Sequence, residues 1–373
     1  RPTSETIIGH TYSKWIKSYR DLPVLINLWN SVVRWELRTK LFLRTLEFWW
    51  QEGHTAHATY EQAQEETIQM LEVYIDFARN EAAIPPFFGR KSNSEKFPGA
   101  DVTYSIEAMM GDKKALQAGT SHNLGQNFSK AFDIQYLDHN NEMQYCWTTS
   151  WGLSTRFIGA IIMTHGDDQG LIMPPRLAPH QAVLTPIYKD DDQKSTVMDS
   201  VASVSTELMD QGIRVKVDDR EGFTPGHKFN YWELRGVPVR IEIGPKDVAN
   251  QSVALARRDV LGREGKSIVP QESVASAVND LLIDIQHSLL ERATHFRDSN
   301  TSEPRDYVHF KEIVANGFAF AWWCGGETCE TAIKNETKAT SRCIPDSGLG
   351  DEDGKCIYCG EMSTDKVYFA RSY

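Results

Sequence analysis

The chain lacks any apolar run long enough to cross a bilayer, and its longest apolar stretch, at residues 157–163, is far too short to do so. It opens on Arg1 without the charged-then-apolar pattern of a signal segment, so we expect it to begin inside a longer protein. Six cysteines in 373 residues are too few for a disulfide scaffold. These absences predict a protein with reduced thiols and a cytoplasmic location, with no membrane as partner.

An excess of basic residues is also absent, because the formal net charge is −11. This charge argues against indiscriminate coating of nucleic acid. A specific nucleic-acid partner stays open, since local basic patches decide contacts and basic residues do cluster between residues 235 and 266. The length predicts two or three hydrophobic cores, and 40% hydrophobic residues are ordinary for a globular protein.

Four of the cysteines stand near the C-terminal end with the spacing of metal ligands: Cys324, Cys329, Cys356 and Cys359. Two such short-range pairs are typical of one tetrahedral, structural zinc site, although metal-free thiols are the alternative. We expect Cys343 not to bind the metal and Cys146 to be a buried, reduced thiol.

Three regions are predicted along the chain: residues 1–177, 178–297 and 298–373. In the first, residues 32–37 and 47–51 alternate as the two strands of a hairpin, which would place Arg34 and Glu36 on one strand face. A capping pattern at Thr59 opens an amphipathic helix. Further strands are expected at residues 115–121 and 147–162.

In the second region, strands alternate with helices, which predicts a compact α/β domain with a mostly parallel or mixed sheet. Its strands are expected at residues 182–186, 213–217, 237–243 and 254–258, and its helices at 195–211, 226–235 and 272–296, the first capped by Ser195. The third region would be a small α/β domain that holds the cysteines.

Arginines in the first region suit a phosphate ligand, because the planar guanidinium fork matches two phosphate oxygens. Arg34 and Arg44 belong to the hairpin, and Arg156 follows Gly152, where a ligand can lie on the backbone. Each has a plainer alternative: Arg34 could form a surface salt bridge with Glu36, and a histidine such as His122 is more often a core residue than a ligand.

The second signature motif of class II aminoacyl-tRNA synthetases, in its prolyl-tRNA synthetase version, resembles Arg34-Trp35-Glu36, Phe42-Leu43-Arg44-Thr45 and Trp50-Gln51-Glu52-Gly53-His54. Further segments resemble the same family at residues 1–6, 117–122, 151–156, 226–229, 232–233, 244–247 and 371–373. The resemblance covers essentially the whole chain. The cysteine-rich end and the absence of an obvious editing insertion indicate the archaeal/eukaryote-like type.

This resemblance implies a class II catalytic domain, an α+β fold with an antiparallel sheet, followed by an α/β anticodon-binding domain and a zinc-binding C-terminal domain. The first class II motif, which builds the dimer interface, should lie upstream of Arg1, and the full-length protein should be a homodimer. The implied reaction joins L-proline to tRNA(Pro) through prolyl-adenylate, with ATP and Mg²⁺, and releases AMP and pyrophosphate.

Residue roles follow from the same resemblance. Arg34, Glu36 and Arg156 are the expected catalytic residues. The expected ATP-binding residues are Arg34, Glu36, Arg44, Thr45, Gln117, Thr120, Ser154 and Arg156. The expected proline-binding residues are Thr3, Glu5, Arg34, Trp50, Glu52, Phe97, His122, Trp151 and Gly152. The expected anticodon-binding residues are Phe229, Glu233, Arg240 and Asp247, with Arg263 and Lys266 both open as a further basic contact.

Two alternatives are weighed against this enzyme. A catalytically silent homologue could bind tRNA or protein with the same fold, but Glu5, Arg34, Glu36 and Arg156 are all present. A class II synthetase for threonine is disfavoured, because threonine would need a hydroxyl-reading metal in the pocket. For Tyr373, the resemblance implies that its carboxylate folds back toward the active site, whereas the plainer interpretation is an aromatic plug in the tail's own core.

Overall fold

The computed structural model describes residues 1–345 and 353–373 and divides the chain into two units. The first unit comprises Arg1–Ala78, Pro85–Ala160 and Phe296–Tyr373. The second comprises Arg79–Ile84 and Ile161–His295. No helix among the described residues is long and apolar enough to span a membrane.

An antiparallel sheet of six strands organises the N-terminal part of the first unit, in the order β1-β2-β8-β5-β4-β3. The strands are β1 (Val24–Val33), β2 (Glu47–His57), β3 (Phe87–Arg90), β4 (Val102–Met109), β5 (Ala115–Gly125) and β8 (Trp147–Ser154), while β6 (Gln135–Leu137) and β7 (Met143–Tyr145) form a separate ribbon. The helices are α1 (Glu5–Trp15), α2 (Tyr60–Asp76), α3 (Asn127–Phe132) and α4 (Arg156–His165), with a 3₁₀ turn at Tyr19–Asp21 and a π-helical turn at Phe77–Glu81.

Helix α2 begins where the capping pattern predicts, because the Thr59 hydroxyl accepts a hydrogen bond from the Gln62 amide at 3.3 Å. Its buried residues recur at helical spacing on one face: Ala63, Thr67, Leu71 and Tyr74. This face packs against the sheet, where the Tyr74 hydroxyl donates to Gln51 Oε1 and Ser121 Oγ donates to the Thr67 carbonyl, both at 2.8 Å.

Two predicted strands are wrong in their extent. Strand β1 ends at Val33, so Arg34 and Glu36 lie in the loop between β1 and β2. Trp35 and Leu37 are 87% and 83% exposed, so this segment does not pack as a strand in the sheet. Alternating residues do not form a strand unless a partner strand supplies hydrogen bonds and side-chain contacts. Strand β8 ends at Ser154, because the buried Phe157, Ala160 and Ile161 follow helical rather than strand spacing.

The second unit contains a mixed sheet, as the sequence predicts, in the order β10-β9-β11-β12-β13. Its strands are β9 (Ala182–Pro186), β10 (Val215–Val217), β11 (Val239–Ile243), β12 (Ser252–Arg257) and β13 (Lys266–Pro270); β9 pairs in parallel with β10 and β11, and the other pairs are antiparallel. Its helices are α5 (Asp191–Asp210), α6 (Pro225–Leu234), α7 (Pro245–Ala249) and α8 (Val274–Ser299), with a 3₁₀ turn at Gln271–Ser273.

The predicted cap of α5 at Ser195 is wrong. The helix begins at Asp191, and the Asp190 carboxylate caps it by accepting from the Gln193 amide at 2.9 Å. An acidic first turn suits the positive end of the helix dipole, which explains the earlier start. The predicted apolar face is confirmed, since Val197, Val201 and Leu208 are fully buried or nearly so.

The C-terminal part of the first unit carries a second sheet in the order β14-β15-β19-β16. Its strands are β14 (Thr301–Ser302), β15 (Phe318–Trp322), β16 (Thr340–Cys343) and β19 (Lys366–Ala370), with the small ribbon β17 (Gly354–Lys355) and β18 (Met362–Ser363) and the helices α9 (Tyr307–Ala315) and α10 (Glu327–Thr337). It packs on the first sheet, where Arg90 and Ile344 exchange backbone hydrogen bonds of 2.9 and 2.8 Å.

A buried ionic cluster joins these two sheets. The Glu107 carboxylate accepts from Lys91 Nζ at 2.7 Å and from Arg342 Nη2 at 2.8 Å, and the three side chains are 0%, 2% and 6% exposed. Burial alone would raise the pKa of Glu107, but the Arg342 and Lys91 cations more than offset it and lower that pKa. Removing one partner of such a cluster typically costs about 3–5 kcal/mol, so the cluster fixes how the sheets meet.

Candidate active site

A cavity of about 410 Å³ opens on one face of the six-stranded sheet. The strand register creates that face, because residues directly opposite in an antiparallel ladder point to the same side. Glu52 of β2 and Thr120 of β5 both pair with Gly152 of β8, which lies between them. One step along the same face, His54 and His122 both pair with Ser150 of β8.

Two carboxylates supply one end of the cavity, Glu52 from β2 and Glu5 from the start of α1. Glu52 accepts hydrogen bonds from Ser4 Oγ and from Asn30 Nδ2 at 2.9 Å, and its Oε2 lies 2.9 Å from His54 Nε2. Burial opposes ionisation of Glu52, but these hydrogen bonds outweigh it and lower the pKa. Glu52 is therefore a fixed negative charge in the cavity wall.

The Glu5 carboxylate has neighbours of a different kind. It accepts from the Thr3 hydroxyl, and its Oε1 lies 3.3 Å from Ser150 Oγ. Because these partners are neutral, Glu5 can take up a cationic ligand without first breaking an ion pair.

The rings of Phe97 and His122 form another part of the cavity wall. Phe97 packs on His122 with ring centroids 4.9 Å apart, and His122 Nδ1 lies 2.9 Å from Thr103 Oγ1. Burial lowers the pKa of His122 to about 3, and the neighbouring His54 adds to the lowering. His122 is therefore a neutral hydrogen-bonding group at ordinary pH.

Three arginines add positive charge, Arg34 in the cavity lining and Arg44 and Arg156 beside Arg34. The Arg34 guanidinium lies 5.3 and 5.2 Å from the ring centroids of Phe48 and Trp50. Burial lowers the pKa of Arg156, and the nearby charges of Arg44 and Arg34 lower it further. Cations that destabilise one another in this way favour a polyanion between them.

The loop between β1 and β2 is tied to these arginines. Arg156 Nε donates to the Leu43 carbonyl at 2.9 Å, and Arg44 Nη1 lies 3.3 Å from the Glu36 carboxylate. Arg44 Nη2 also donates to the Tyr373 carbonyl at 2.6 Å. The Tyr373 hydroxyl donates to Asp112, so the end of the described chain lies beside this loop.

Not all of the predicted site residues line the cavity. Those that do are Thr3, Glu5, Arg34, Trp50, Glu52, Phe97, Gln117, Thr120, His122, Trp151 and Gly152. The Trp151 ring packs over Gly53, where an added Cβ would lie 2.1 Å from it. Glu36, Arg44, Thr45, Ser154 and Arg156 lie outside the described cavity lining. Among these, Thr45 Oγ1 donates to the Glu47 carbonyl at 2.7 Å, and Ser154 Oγ accepts from the Arg156 amide at 3.3 Å.

In the second unit, four of the residues expected to contact an anticodon form one cluster. Arg240 lies 4.1 Å from the Phe229 ring centroid and donates to Glu233 at 2.5 Å. Lys266 joins through Glu242, which accepts from Lys266 Nζ at 2.8 Å and from Arg240 Nε at 3.0 Å.

The other two anticodon candidates lie elsewhere. The Asp247 carboxylate accepts from the Gly244 amide at 2.8 Å and caps α7. Arg263 lies in the turn before β13, and its carbonyl accepts from the Lys266 amide at 3.1 Å. The cluster thus includes Lys266, and the Arg263 side chain belongs to the exposed turn.

The four predicted metal ligands converge, since the sulfur atoms of Cys324, Cys329, Cys356 and Cys359 all lie within 4.8 Å of one another. Cys324 Sγ is 3.7 Å from the sulfurs of both Cys329 and Cys359. Tetrahedral zinc with Zn–S bonds of about 2.3 Å places its sulfurs about 3.8 Å apart, so the donor set fits zinc. Among the described residues, these four cysteines form the cluster, and Cys343, which is buried in β16, does not belong to it.

Comparison with known proteins gives matches in all three regions. Residues 1–165 match the family described as tRNA synthetase class II core domain (G, H, P, S and T), residues 181–281 the anticodon binding domain, and residues 307–373 the C-terminal part of prolyl-tRNA synthetase. A proline--tRNA ligase of Chloroflexus aurantiacus is 57% identical over 374 residues, which cover 100% of this chain and 78% of that protein.

The chain belongs to the prolyl-tRNA synthetase family.

Two further members of the family are similar to this chain over its whole length. The chloroplastic/mitochondrial proline--tRNA ligase of Arabidopsis thaliana is 53% identical over 379 residues, covering 100% of this chain and 69% of that protein. A crystal structure of prolyl-tRNA synthetase from Cryptosporidium parvum, complexed with L-proline and AMP, superposes with a TM-score of 0.94 at 40% identity and covers 100% of this chain and 78% of that one. The predicted fold class is confirmed: a class II catalytic core with an antiparallel sheet, an anticodon-binding domain and a C-terminal domain.

Several residues that line the cavity are not predicted from the sequence. His54 and Ser150 share the cavity face, and strand alternation from Glu52 and Gly152 would have found them. Lys91 and Thr103 gave no such signal, because neither lies in a recognised motif and long-range packing brings them to the cavity.

We expect the free energy of unfolding to decrease as the pH falls, in part because of His122. The folded pKa is about 3 and the reference value is 6.5, so between them the unfolded chain binds a proton that the folded chain does not. The contribution of the neutral His122 to the free energy of unfolding is therefore complete above pH 6.5, and it is lost progressively as the pH falls towards 3.

Urea denaturation at about pH 7 and about pH 4.5 measures this slope through tryptophan fluorescence. Nine of the ten tryptophans, all except Trp232, lie in the first unit, so the signal reports on the unit that contains His122. His122→Asn should reduce the pH dependence, and the control His10→Asn, at an exposed position of α1, should keep it. Equal slopes for wild type and His122→Asn would contradict the buried, neutral imidazole.

Proposed function

We propose that the chain catalyses ATP-dependent ligation of L-proline to tRNA(Pro) through prolyl-adenylate, with release of AMP and pyrophosphate. The observation that carries this proposal is the pairing, in one cavity, of the Glu5 and Glu52 carboxylates with the Arg34 guanidinium. The secondary ammonium of proline needs a carboxylate, its ring needs flat apolar walls, and its carboxylate needs a cation. The Cryptosporidium relative, whose crystal structure holds L-proline and AMP, supports the same ligands here.

In the first step, a proline carboxylate oxygen forms a bond to the α-phosphorus of ATP, and the bond from that phosphorus to pyrophosphate breaks. Glu5 and Thr3 hold the ammonium, while Trp50, Glu52, Phe97, His122, Trp151 and Gly152 complete the proline pocket. Arg34 holds the proline carboxylate and the α-phosphate. Positioning and charge neutralisation are the main demands of such an in-line displacement.

The nucleotide is assigned to the side of the cavity where the arginines lie. Arg44 and Arg156 take the outer phosphates, Glu36 orients Arg44, and Thr45, Gln117, Thr120 and Ser154 hold the adenosine. Mg²⁺ bound with ATP would supply further neutralisation of the phosphate charge.

In the second step, the prolyl group passes to the 3′-terminal adenosine of tRNA(Pro). We assign recognition of the anticodon to the cluster of Phe229, Glu233, Arg240 and Lys266, and further contacts to Asp247 and Arg263 outside that cluster. An arginine fork matches O6 and N7 of guanine, and unpaired bases stack on aromatic rings. Residues 1–177, 178–297 and 298–373 are the proposed catalytic, anticodon-binding and zinc-binding domains.

Three further properties are proposed for the full-length protein. A homodimer is supported by the exposed apolar face of β1, where Leu25, Trp29 and Val33 are 60%, 82% and 54% exposed on the edge strand of the sheet. Such a patch is typical of a protein interface. A cytoplasmic location is supported by six cysteines that are all free. A structural Zn²⁺ is assigned to Cys324, Cys329, Cys356 and Cys359.

We expect about one zinc ion per chain after gentle purification, because four cysteine ligands form a closed structural site. Elemental analysis of the purified protein measures it directly. Cys356→Ser should lose most of the metal, whereas Cys343→Ser should retain it. Retention by the first variant, or loss by the second, would show that the ligand set is wrong.

Proline-dependent exchange between ATP and pyrophosphate tests the function. The wild-type full-length protein should catalyse it, and Glu5→Gln should lower kcat/KM for proline about a hundredfold, because the proline ammonium loses a buried charged partner. Glu65→Gln, an exposed position of α2, is the matched control and should behave as wild type. Absence of exchange above background in the wild type would favour a catalytically silent binding homologue.

A further inference from the structure

The segment of residues 91–98 between β3 and β4, here named the wall loop, brings Phe97 to the cavity. It contains no helix or strand that would hold it in place. One backbone bond ties its start to β4, from the Lys91 amide to the Thr103 carbonyl at 2.7 Å. The rest of its position depends on side-chain contacts, and several of these lead to the C-terminal part of the same unit.

A buried carboxylate on α10 holds the middle of the wall loop. Glu330 is 5% exposed, and it accepts hydrogen bonds from Ser92 Oγ at 2.7 Å and from Ser94 Oγ at 2.5 Å. The Ser341 hydroxyl of β16 donates to the same carboxylate and lies 3.1 Å from Ser92 Oγ. A buried carboxylate is costly without such donors, so the hydroxyls and Glu330 constrain one another.

Both ends of the wall loop are also fixed. At the start, Lys91 Nζ donates to Glu107 at 2.7 Å and to the Arg342 carbonyl at 2.8 Å. At the far end, the Phe97 amide donates at 3.1 Å to Thr103 Oγ1, the oxygen that also lies 2.9 Å from His122 Nδ1. The Lys334–Glu95 pair at 3.2 Å has an exposed lysine and contributes little.

We propose that Glu330 is a positioning residue for the amino-acid pocket, although it is not among the described residues that line the cavity. Through Ser92 and Ser94 it sets where the wall loop presents Phe97 against His122. This inference rests on the proposed function, because it takes the cavity wall formed by Phe97 as the proline side of the site.

The effect should be selective for proline. The arginines assigned to ATP are held by the loop between β1 and β2 and by the start of α4, where Arg156 bonds to Leu43, and not by Glu330. The C-terminal part also has its own hydrophobic core of Phe310, Ile333, Val367 and Phe369, so loss of one carboxylate should leave it folded.

In proline-dependent exchange by the full-length protein, Glu330→Ala should raise the KM for proline about tenfold, because a displaced wall lowers the fit of the ring. The KM for ATP and kcat should change by less than about twofold. Glu330→Gln should recover part of the loss, since its carbonyl oxygen still accepts from the serines. Ser94→Ala should add little on top of Glu330→Ala, because both remove the same contact.

Glu336→Ala is the matched control. Glu336 lies on the same helix and accepts from two hydroxyls, Tyr307 at 3.0 Å and Tyr358 at 3.3 Å, but both belong to the C-terminal part. Its proline KM should equal that of the wild type. Hydrogen–deuterium exchange of residues 92–98 gives a readout that does not need activity: uptake should rise in Glu330→Ala and not in Glu336→Ala.

The outcomes separate the two proposals. An active wild type with an unchanged proline KM in Glu330→Ala would overturn the positioning role. An equal rise of the proline KM in Glu330→Ala and Glu336→Ala would also overturn it. A wild type without proline-dependent exchange would overturn the proposed function. In that case, unchanged deuterium uptake in Glu330→Ala would separately show that Glu330 does not hold the wall loop.

Discussion

The antiparallel register of β2, β8 and β5 is the constraint on which the site depends. It places Glu52, Gly152 and Thr120 in one row and His54, Ser150 and His122 in the next. A slip of one residue in any of these strands would turn its side chains to the other face of the sheet, and its functional residues would no longer line the cavity. The Trp151 ring opposes such a slip, because it fills the space where a side chain at Gly53 would stand.

Charge is distributed unevenly over this frame. At one end, hydrogen bonds from His54, Ser4 and Asn30 keep Glu52 ionised despite burial. At the other, Arg34, Arg44 and Arg156 are close enough for their charges to oppose one another. This distribution of charge suits the proposed pair of ligands, a zwitterionic imino acid and a polyphosphate. Groups fixed before the ligands arrive need little reorganisation during the reaction, which is the electrostatic advantage of a folded site.

Local patterns in the sequence predicted those parts of the protein that local forces control. The cap at Thr59, the buried stripe of α5 and the spacing of the cysteines follow from one turn of helix or one pair of ligands, and the structure confirms them. Alternation predicts a strand through Arg34 and Glu36, and this is wrong because alternation alone cannot tell whether a partner strand is present. The wall loop could not be foreseen either, since Ser92 meets Glu330 across a separation of 238 residues. Only the folded chain brings these side chains together.

The most direct test is a crystal structure of the full-length protein with a non-hydrolysable prolyl-adenylate analogue. The central claim is that the acidic and cationic ends of one cavity hold the two halves of this intermediate. It predicts the pyrrolidine nitrogen within about 3 Å of a Glu5 or Glu52 oxygen, the ring beside Phe97, and the phosphate directed at Arg34. An analogue bound away from this cavity, or bound in it with its ends reversed, would contradict the account.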